Sequence, residues 1–260
     1  MSELATLCDA LGPVARRAGE AIMAVYAKGF SAQTKHDGSP VTEADKAAEA
    51  IILDALVTIA PEIPVVSEEN PASHMLEAPE TFFLVDPLDG TKEFLKPDGK
   101  GAFTVNIALI QDRMPVMGIV FAPALGRMFT GCKGIGAFHN GLPVHVSAKG
   151  ARAPIAVASA SHRDQKTDEW LLSRGIKNTV SIGSSLKFGL VAAGEADVYP
   201  RFGPTMEWDT AAGDAVLRAA GGSVSHPDGS VFDYGKAGYR NGPFLAQASP
   251  DDILQTGFME

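Results

Sequence analysis

The chain has 260 residues, 45% hydrophobic and 20% charged, a globular composition that excludes disordered and fibrous classes. Its 22 Lys and Arg stand against 31 Asp and Glu, a net charge of −9, which argues against a general nucleic-acid binder because that function needs a basic face. Two cysteines without a CxxC, Cys8 and Cys132, exclude a disulfide framework and a structural zinc site, and no apolar run approaches the roughly 18 residues needed to span a bilayer.

The opening MSELATLCDA has neither a basic n-region nor a long apolar h-region, so a soluble protein of a reducing cytoplasm is expected. Leu4, Leu7, Leu11, Ala15, Ala18, Ile22 and Val25 recur at helical spacing and predict an amphipathic helix over 3–27, with Pro13 as a point of interruption. After a polar loop at 35–40, Thr42 and Asp45 stand three apart before an apolar-periodic run, a capping-box signature. The helix that follows (47–56) should stop before Pro61. Residues 63–67 and 81–86 (TFFLVD) read as short strands, the second ended by Pro87. Residues 102–111 and 114–121 form a hairpin through Asp112-Arg113, and Asn140-Gly141 signals a second. Beyond residue 150 strands alternate with helices: strand 154–158, helix 164–174, strand 179–182, a helix from Ser184-Ser185, strand 196–199 and a helix over 207–220. That is the α/β rhythm. A boundary near 148–152 then divides an α+β part (1–150), expected to bind metal, from an α/β part (151–260), expected to bind substrate. No internal repeat is visible.

Acidic residues gather at element ends. Asp45 opens a helix, Glu68 and Glu69 end a strand, Asp86 and Asp89 lie in LVDPLDGT, and Asp209 lies in the first turn of EWDTAAGDAV. Strand C-terminal ends and helix N-termini are where α/β folds place ligands. Converging there, these carboxylates stay ionised only beside cations. Carboxylates with a backbone carbonyl suit Mg²⁺ or Mn²⁺. In DPLDGT, Asp86, Asp89 and the Leu88 carbonyl can face one point, Gly90 admits a ligand close to the backbone, and Thr91 starts a helix whose free N–H groups favour phosphate. Taken singly, each feature has a plainer reading: a turn with an N-cap, a capping acid, a solvated strand end. Two other readings fit less well. An aspartyl-phosphate phosphatase needs D-x-D-x-T, and a P-loop kinase needs GxxxxGK[ST]; the chain has neither.

Together, SPVTEAD (39–45), SEE (67–69), DPLDGT (86–91) and EWDTAAG (207–213) resemble the motifs of the lithium-sensitive, Mg²⁺-dependent phosphatases of the inositol monophosphatase superfamily, over nearly the whole chain. DPLDGTKEF (86–94), FTVNIALI (103–110), GSSLKF (183–188) and YPRFGP (199–204) look closest to the branch of bacterial bisphosphate nucleotidases. The resemblance implies a mixed α/β fold, a layered αβαβα sandwich of the inositol monophosphatase/fructose-bisphosphatase type. It implies hydrolysis of the 3'-phosphate of adenosine 3',5'-bisphosphate, or of its 5'-phosphosulfate analogue, by direct attack of an activated water. Inositol-1-phosphate or general sugar-phosphate hydrolysis on the same fold is the alternative. Glu68, Asp86, the Leu88 carbonyl, Asp89 and Asp209 would hold two or three Mg²⁺ ions, with Mn²⁺ as a substitute and Li⁺ as an inhibitor. Glu68 and Thr91 would activate water, with Asp45 hydrogen-bonded to Thr91. Gly90, Thr91 and Lys92 would meet the departing phosphate. His162, Ser184, Ser185, Lys187 and Arg201, together with Asp209, are candidates for the rest of a nucleotide. The expected partner is therefore a small nucleotide bisphosphate rather than nucleic acid. Relatives occur as monomers and homodimers, and attachment to the inner membrane would be peripheral, since no integral segment is read.

Overall fold

The computed structural model describes residues 3–28, 33–34, 40–41, 43–96, 101–148, 150 and 152–249. Helix α1 (Glu3–Lys28) is followed by a short pair, β1 (Gln33–Thr34) with β2 (Pro40–Val41), and by helix α2 (Glu43–Ile59). As read, α1 is one helix, and Pro13 does not interrupt it. Proline there forfeits one helical hydrogen bond and crowds the carbonyl four residues back. A buried stripe of Leu11, Val14, Ala15, Ala18 and Ile22 offsets the loss by packing against the neighbouring helix and sheet. Of the expected capping box, Thr42 lies outside the described residues. Asp45 stands in the first turn of α2, buried. The helix ends ahead of Pro61, as read.

Seven strands then follow in spatial and chain order: β3 (Val65–Ser67), β4 (Thr81–Asp89), β5 (Thr104–Gln111), β6 (Met114–Ala122), β7 (Arg127–Cys132), β8 (Gly136–His139) and β9 (Leu142–Val144). Only β3 and β4 pair parallel; the other neighbours in this sheet are antiparallel. Both expected hairpin turns form. Asp112 and Arg113 have φ of 49° and 63°, Asn140 and Gly141 of 50° and 82°, the left-handed pair that a two-residue turn between twisted strands demands. Strand β4 does not end at Pro87 but continues to Asp89. Its partners on β5 step from Asp86↔Asn106 to Asp89↔Thr104, so Pro87 and Leu88 face Val105 alone. The result is a bulge, where a residue without an N–H is tolerated and where the strand re-aims its side chains.

A short helix, α3 (Thr91–Phe94), leaves β4. The C-terminal half supplies β10 (Ile155–Ser159), α4 (Gln165–Ser173), β11 (Asn178–Ile182), α5 (Leu186–Ala192), β12 (Val198–Arg201), β13 (Thr205–Met206), α6 (Ala211–Ala219), β14 (Ser223–Ser225), β15 (Arg240–Asn241) and β16 (Phe244–Gln247). The expected helix at 207–220 is shorter than read, because residues 207–210 form a preceding turn. A five-stranded mixed sheet runs β11-β10-β12-β16-β14, and β13 pairs with β15.

The layers form the expected αβαβα sandwich. Helices α1 and α2 cover one face of the seven-stranded sheet. Helices α5 and α6 fill the space between the two sheets, with Phe188, Tyr199, Phe232 and Phe244 at its centre. Helix α4 covers the outer face of the second sheet through Leu171. Close approach of α6 depends on two glycines. A Cβ on Gly118 (β6) would lie 2.2 Å from the Ala212 carbonyl oxygen, and one on Gly131 (β7) 2.5 Å from Val216 Cα. Among the described residues no helix is long and apolar enough to cross a membrane.

Candidate active site

Three backbone features aim acids at one point. The β3 end carries Glu68, whose N–H donates to the Val85 carbonyl of β4 at 3.1 Å. The β4 bulge carries Asp86 and Asp89. The turn before α6 carries Asp209, whose Oδ2 accepts from the Met206 N–H at 2.8 Å. Carboxylate oxygens of Glu68, Asp86 and Asp209 all lie within 4.8 Å of one another. They line a cleft of about 290 Å³ that also takes in Leu88, Asp89, Gly90 and Thr91.

The cleft's charges are unevenly compensated. Asp86 Oδ1 accepts the Leu88 N–H at 3.0 Å, but its buried Oδ2 has no hydrogen-bond partner. Burial, then the charges of Glu68, Asp89, Asp209 and Asp45, push the Asp86 carboxyl well above its ordinary value. Burial, then Asp89 and Glu68, do the same to Asp209. Asp89 is raised by burial, but Lys187 and hydrogen bonds from Ser185 pull it back. A buried carboxylate oxygen without a donor, among like charges, is the arrangement a hard divalent cation relieves. The residues therefore fit such ions.

Around the acids the site divides in two. On the near side Gly90 adopts φ 89°, a left-handed turn that brings the backbone to the cleft before α3. On the far side Ser185 is committed to the acids: its N–H donates to Asp89 Oδ2 at 2.5 Å, and its hydroxyl lies 2.7 Å from that oxygen and 2.6 Å from the Asp209 carbonyl. Ser184, at φ 52°, lines the cleft. Lys187 is buried, 2.5 Å from the Ser184 carbonyl and 4.9 Å from the Tyr199 ring centre. Burial lowers its pKa to about 8, opposed by Asp89. Arg201 donates to the carbonyls of Gly203, His162 and Pro204. His162 Nε2 lies 3.0 Å from Lys92 Nζ, and burial with the cations Lys92 and Arg201 lowers its pKa.

Glu68, Asp86, Leu88, Asp89, Gly90, Thr91, Lys92, His162, Ser184, Ser185, Lys187, Arg201 and Asp209 thus border one cleft. Asp45 stands behind it, acting on Asp86 through its charge. Glu69 is not among the residues that line the cleft. Sequence reasoning missed Glu93, Ser159, Tyr199 and Thr205, which do. Glu93, in the KEF that follows DGT, and Tyr199, at the head of YPRFGP, both lie in segments on which the resemblance rests.

Comparison with known proteins points to one family. The Inositol monophosphatase family profile matches residues 3–254. The 3'(2'),5'-bisphosphate nucleotidase CysQ of Escherichia coli O157:H7 is 47% identical over 232 residues, covering 88% of this chain and 94% of that protein. CysQ of Salmonella typhimurium is 49% identical over 225 residues, covering 85% and 91%. Among solved structures, CysQ from Bacteroides thetaiotaomicron, a bacterial member of the inositol monophosphatase family, superposes with a TM-score of 0.78 at 36% identity, covering 93% of this chain and 97% of that one.

Proposed function

The chain belongs to the inositol monophosphatase family, and on that footing we propose that it is a 3'(2'),5'-bisphosphate nucleotidase that hydrolyses the 3'-phosphate of adenosine 3',5'-bisphosphate to AMP and phosphate. The observation that carries the reading is the orphaned Asp86 Oδ2 within the triad Glu68, Asp86 and Asp209, set in a chain nearly half identical to nucleotidases so named. Glu68, Asp86, the Leu88 carbonyl, Asp89 and Asp209 would hold two or three divalent cations, Mg²⁺ by preference, with Mn²⁺ able to replace it and Li⁺ inhibiting. When bound, such ions supply positive charge to the phosphate and acidify water.

The chain's own residues do the rest. Glu68 accepts a proton from the attacking water while the Thr91 hydroxyl orients it, and Asp45 holds that hydroxyl. The N–H groups of Gly90 and Thr91 face the phosphate oxygens, as positioning rather than covalent chemistry requires. No side-chain nucleophile takes part, so phosphorus inverts. Lys187, Arg201, Ser184 and the exposed Lys92–His162 pair receive the remaining phosphate and nucleoside. Ser185 contributes indirectly by holding Asp89. The substrate is a small anion, and the enzyme works in the cytoplasm, free or peripheral at the inner membrane.

Phosphate release from adenosine 3',5'-bisphosphate and from inositol 1-phosphate, each with Mg²⁺ and with excess chelator, tests the proposal. The bisphosphate should be turned over faster, and only with metal. Preference for inositol 1-phosphate, or undiminished rates in chelator, would refute it.

A further inference from the structure

Helix α3 does more than follow the DPLDGT turn. Its residues and Lys96 beyond it make three links to the loop at 159–162, which follows β10 on the other side of the cleft. Ser161 Oγ donates a short hydrogen bond to Glu93 Oε1. Lys96 Nζ lies 3.7 Å from that oxygen and 3.3 Å from Ser161 Oγ. Lys92 Nζ reaches His162 Nε2. Among the described residues the loop's other hydrogen bonds run to its own half: the Ala160 N–H to the Ile182 carbonyl at 3.2 Å, the His162 N–H to Ser159 Oγ at 3.0 Å and Arg201 to the His162 carbonyl at 3.4 Å.

Of the three links, Glu93 is the built one. Its side chain is 11% exposed, against 46% for Lys96. Its stem occupies space that only a glycine on the facing loop leaves open, since a Cβ on Gly183 would lie 2.4 Å from Glu93 Cγ. Its charge also acts on His162 and Lys187, favouring their protonated forms.

We propose that Glu93 is a positioning residue that latches α3 to Ser161 and thereby holds His162 and its loop where the part of the substrate remote from the scissile phosphate must sit. The substrate half of this inference rests on the nucleotidase reading; the latch itself does not. Glu93 carries no proton in the reaction, and its charge is the last of the causes that act on the Asp89 carboxyl, behind burial, Lys187 and Ser185. Its effect falls on the seat of the nucleoside and second phosphate. It therefore governs the KM of a large bisphosphate and leaves small phosphate esters untouched.

Two measurements separate the parts. Hydrogen exchange over 159–163 reads the latch without turnover: protection should fall in Glu93→Ala and Ser161→Ala and persist in Glu93→Gln, whose amide oxygen still accepts from Ser161. Steady-state kinetics with Mg²⁺ then reads its purpose. Loss of a hydrogen bond to a charged group should raise the KM of adenosine 3',5'-bisphosphate roughly tenfold or more in Glu93→Ala, with kcat and p-nitrophenyl phosphate hydrolysis unchanged. Glu93→Gln should recover most of the loss, and Glu93→Ala with Ser161→Ala should be no worse than either alone. Unchanged exchange in Glu93→Ala overturns the latch. Equal losses on both substrates, a fall confined to kcat, or additive single effects overturn its role in binding. A wild type inert toward the bisphosphate fails the nucleotidase reading and the binding role with it, while exchange still decides the latch.

Discussion

Replacing Asp86 with Asn probes the electrostatics of the site without a turnover assay. In chelated protein at pH 8, Asp86 presents a buried Oδ2 that meets no donor, with oxygens of Glu68 and Asp209 within 4.8 Å. A buried polar group left unsatisfied costs about 1–3 kcal/mol, more when charged. Asn removes the charge, keeps an oxygen for the Leu88 N–H, and turns an N–H toward the neighbouring carboxylates. The metal-free variant should therefore gain about 1–3 kcal/mol. At about 2–4 °C per kcal/mol for a large domain, its Tm should rise by roughly 2–12 °C. With Mg²⁺ the order reverses. A cation at a thousand times its Kd stabilises the wild type by about 4.1 kcal/mol, or roughly 8–16 °C, whereas the variant loses most of that shift. The pH dependence has a definite sign. The folded-state pKa of Asp86 lies above the ordinary 3.8, so over that interval the folded chain binds more protons than the unfolded one, and metal-free wild type loses stability as pH rises. The advantage of Asn should accordingly shrink toward pH 4. Calorimetry in chelator and in graded Mg²⁺ measures all of this. An Asp86→Asn protein that melts below wild type in chelator at pH 8, or that keeps the full Mg²⁺ shift, would refute the reasoning.

Further tests address other parts of the molecule. Lys187→Met should lower kcat/KM for the bisphosphate by roughly ten- to a hundredfold, the equivalent of one hydrogen bond to a charged group, and spare p-nitrophenyl phosphate; comparable losses on both would remove Lys187 from the second-phosphate role. Gly118→Ala should cost about 1–3 kcal/mol of stability through overpacking and weaken Mg²⁺ binding in a calorimetric titration, because its Cβ would strike the Ala212 carbonyl of the helix that follows Asp209; unaltered metal affinity would show that α6 does not set the position of Asp209. Asp214 is buried, its carboxyl raised from 3.8 to about 6 mainly by burial despite Arg218 and Tyr234. Wild type should thus lose about 3 kcal/mol relative to Asp214→Asn as pH rises from 4 to above 6, and urea melts that differ by a constant amount across that range would contradict this.

Legibility in the sequence followed the range over which each feature is determined. The two hairpins were readable because Asp112-Arg113 and Asn140-Gly141 decide their turns locally. The amphipathic α1 was readable from its stripe, but not its passage through Pro13, since the packing that offsets a proline lies on other elements. Strand β7, and the short β13 to β16, went unread: RMFTGC and its like are too short and mixed to stand out, and they become strands because neighbours pair with them. The bulge in β4 was hidden for the same reason, being a relation between two strands that only their register displays. Glu68, Asp86, Asp89 and Asp209 stood out by their place at element ends and took their roles from the resemblance, whereas Glu93 was passed over because its partner Ser161 stands 68 positions away.

What no motif could sort is which buried acid has chemistry to do. EWDTAAGDAV holds Glu207, Asp209 and Asp214 within eight residues, and Glu207 and Asp214 are fully buried. Glu207 receives the N–H groups of Gly235 and Lys236 and the Lys236 ammonium, at 2.7, 3.0 and 2.6 Å. Asp214 receives Arg218 and the Tyr234 hydroxyl, at 2.6 and 3.0 Å. Both are satisfied within the protein, and both pin C-terminal segments to the helix between the sheets. Among the described residues the Asp209 carboxylate accepts one backbone donor, the Met206 N–H, and it faces Glu68 and Asp86. Burial alone therefore does not mark the functional acid; the supply of donors does. Where the chain provides cations and N–H groups the carboxylate is structural. Where it withholds them, at Asp86 and Asp209, the missing positive charge has to come from outside the polypeptide.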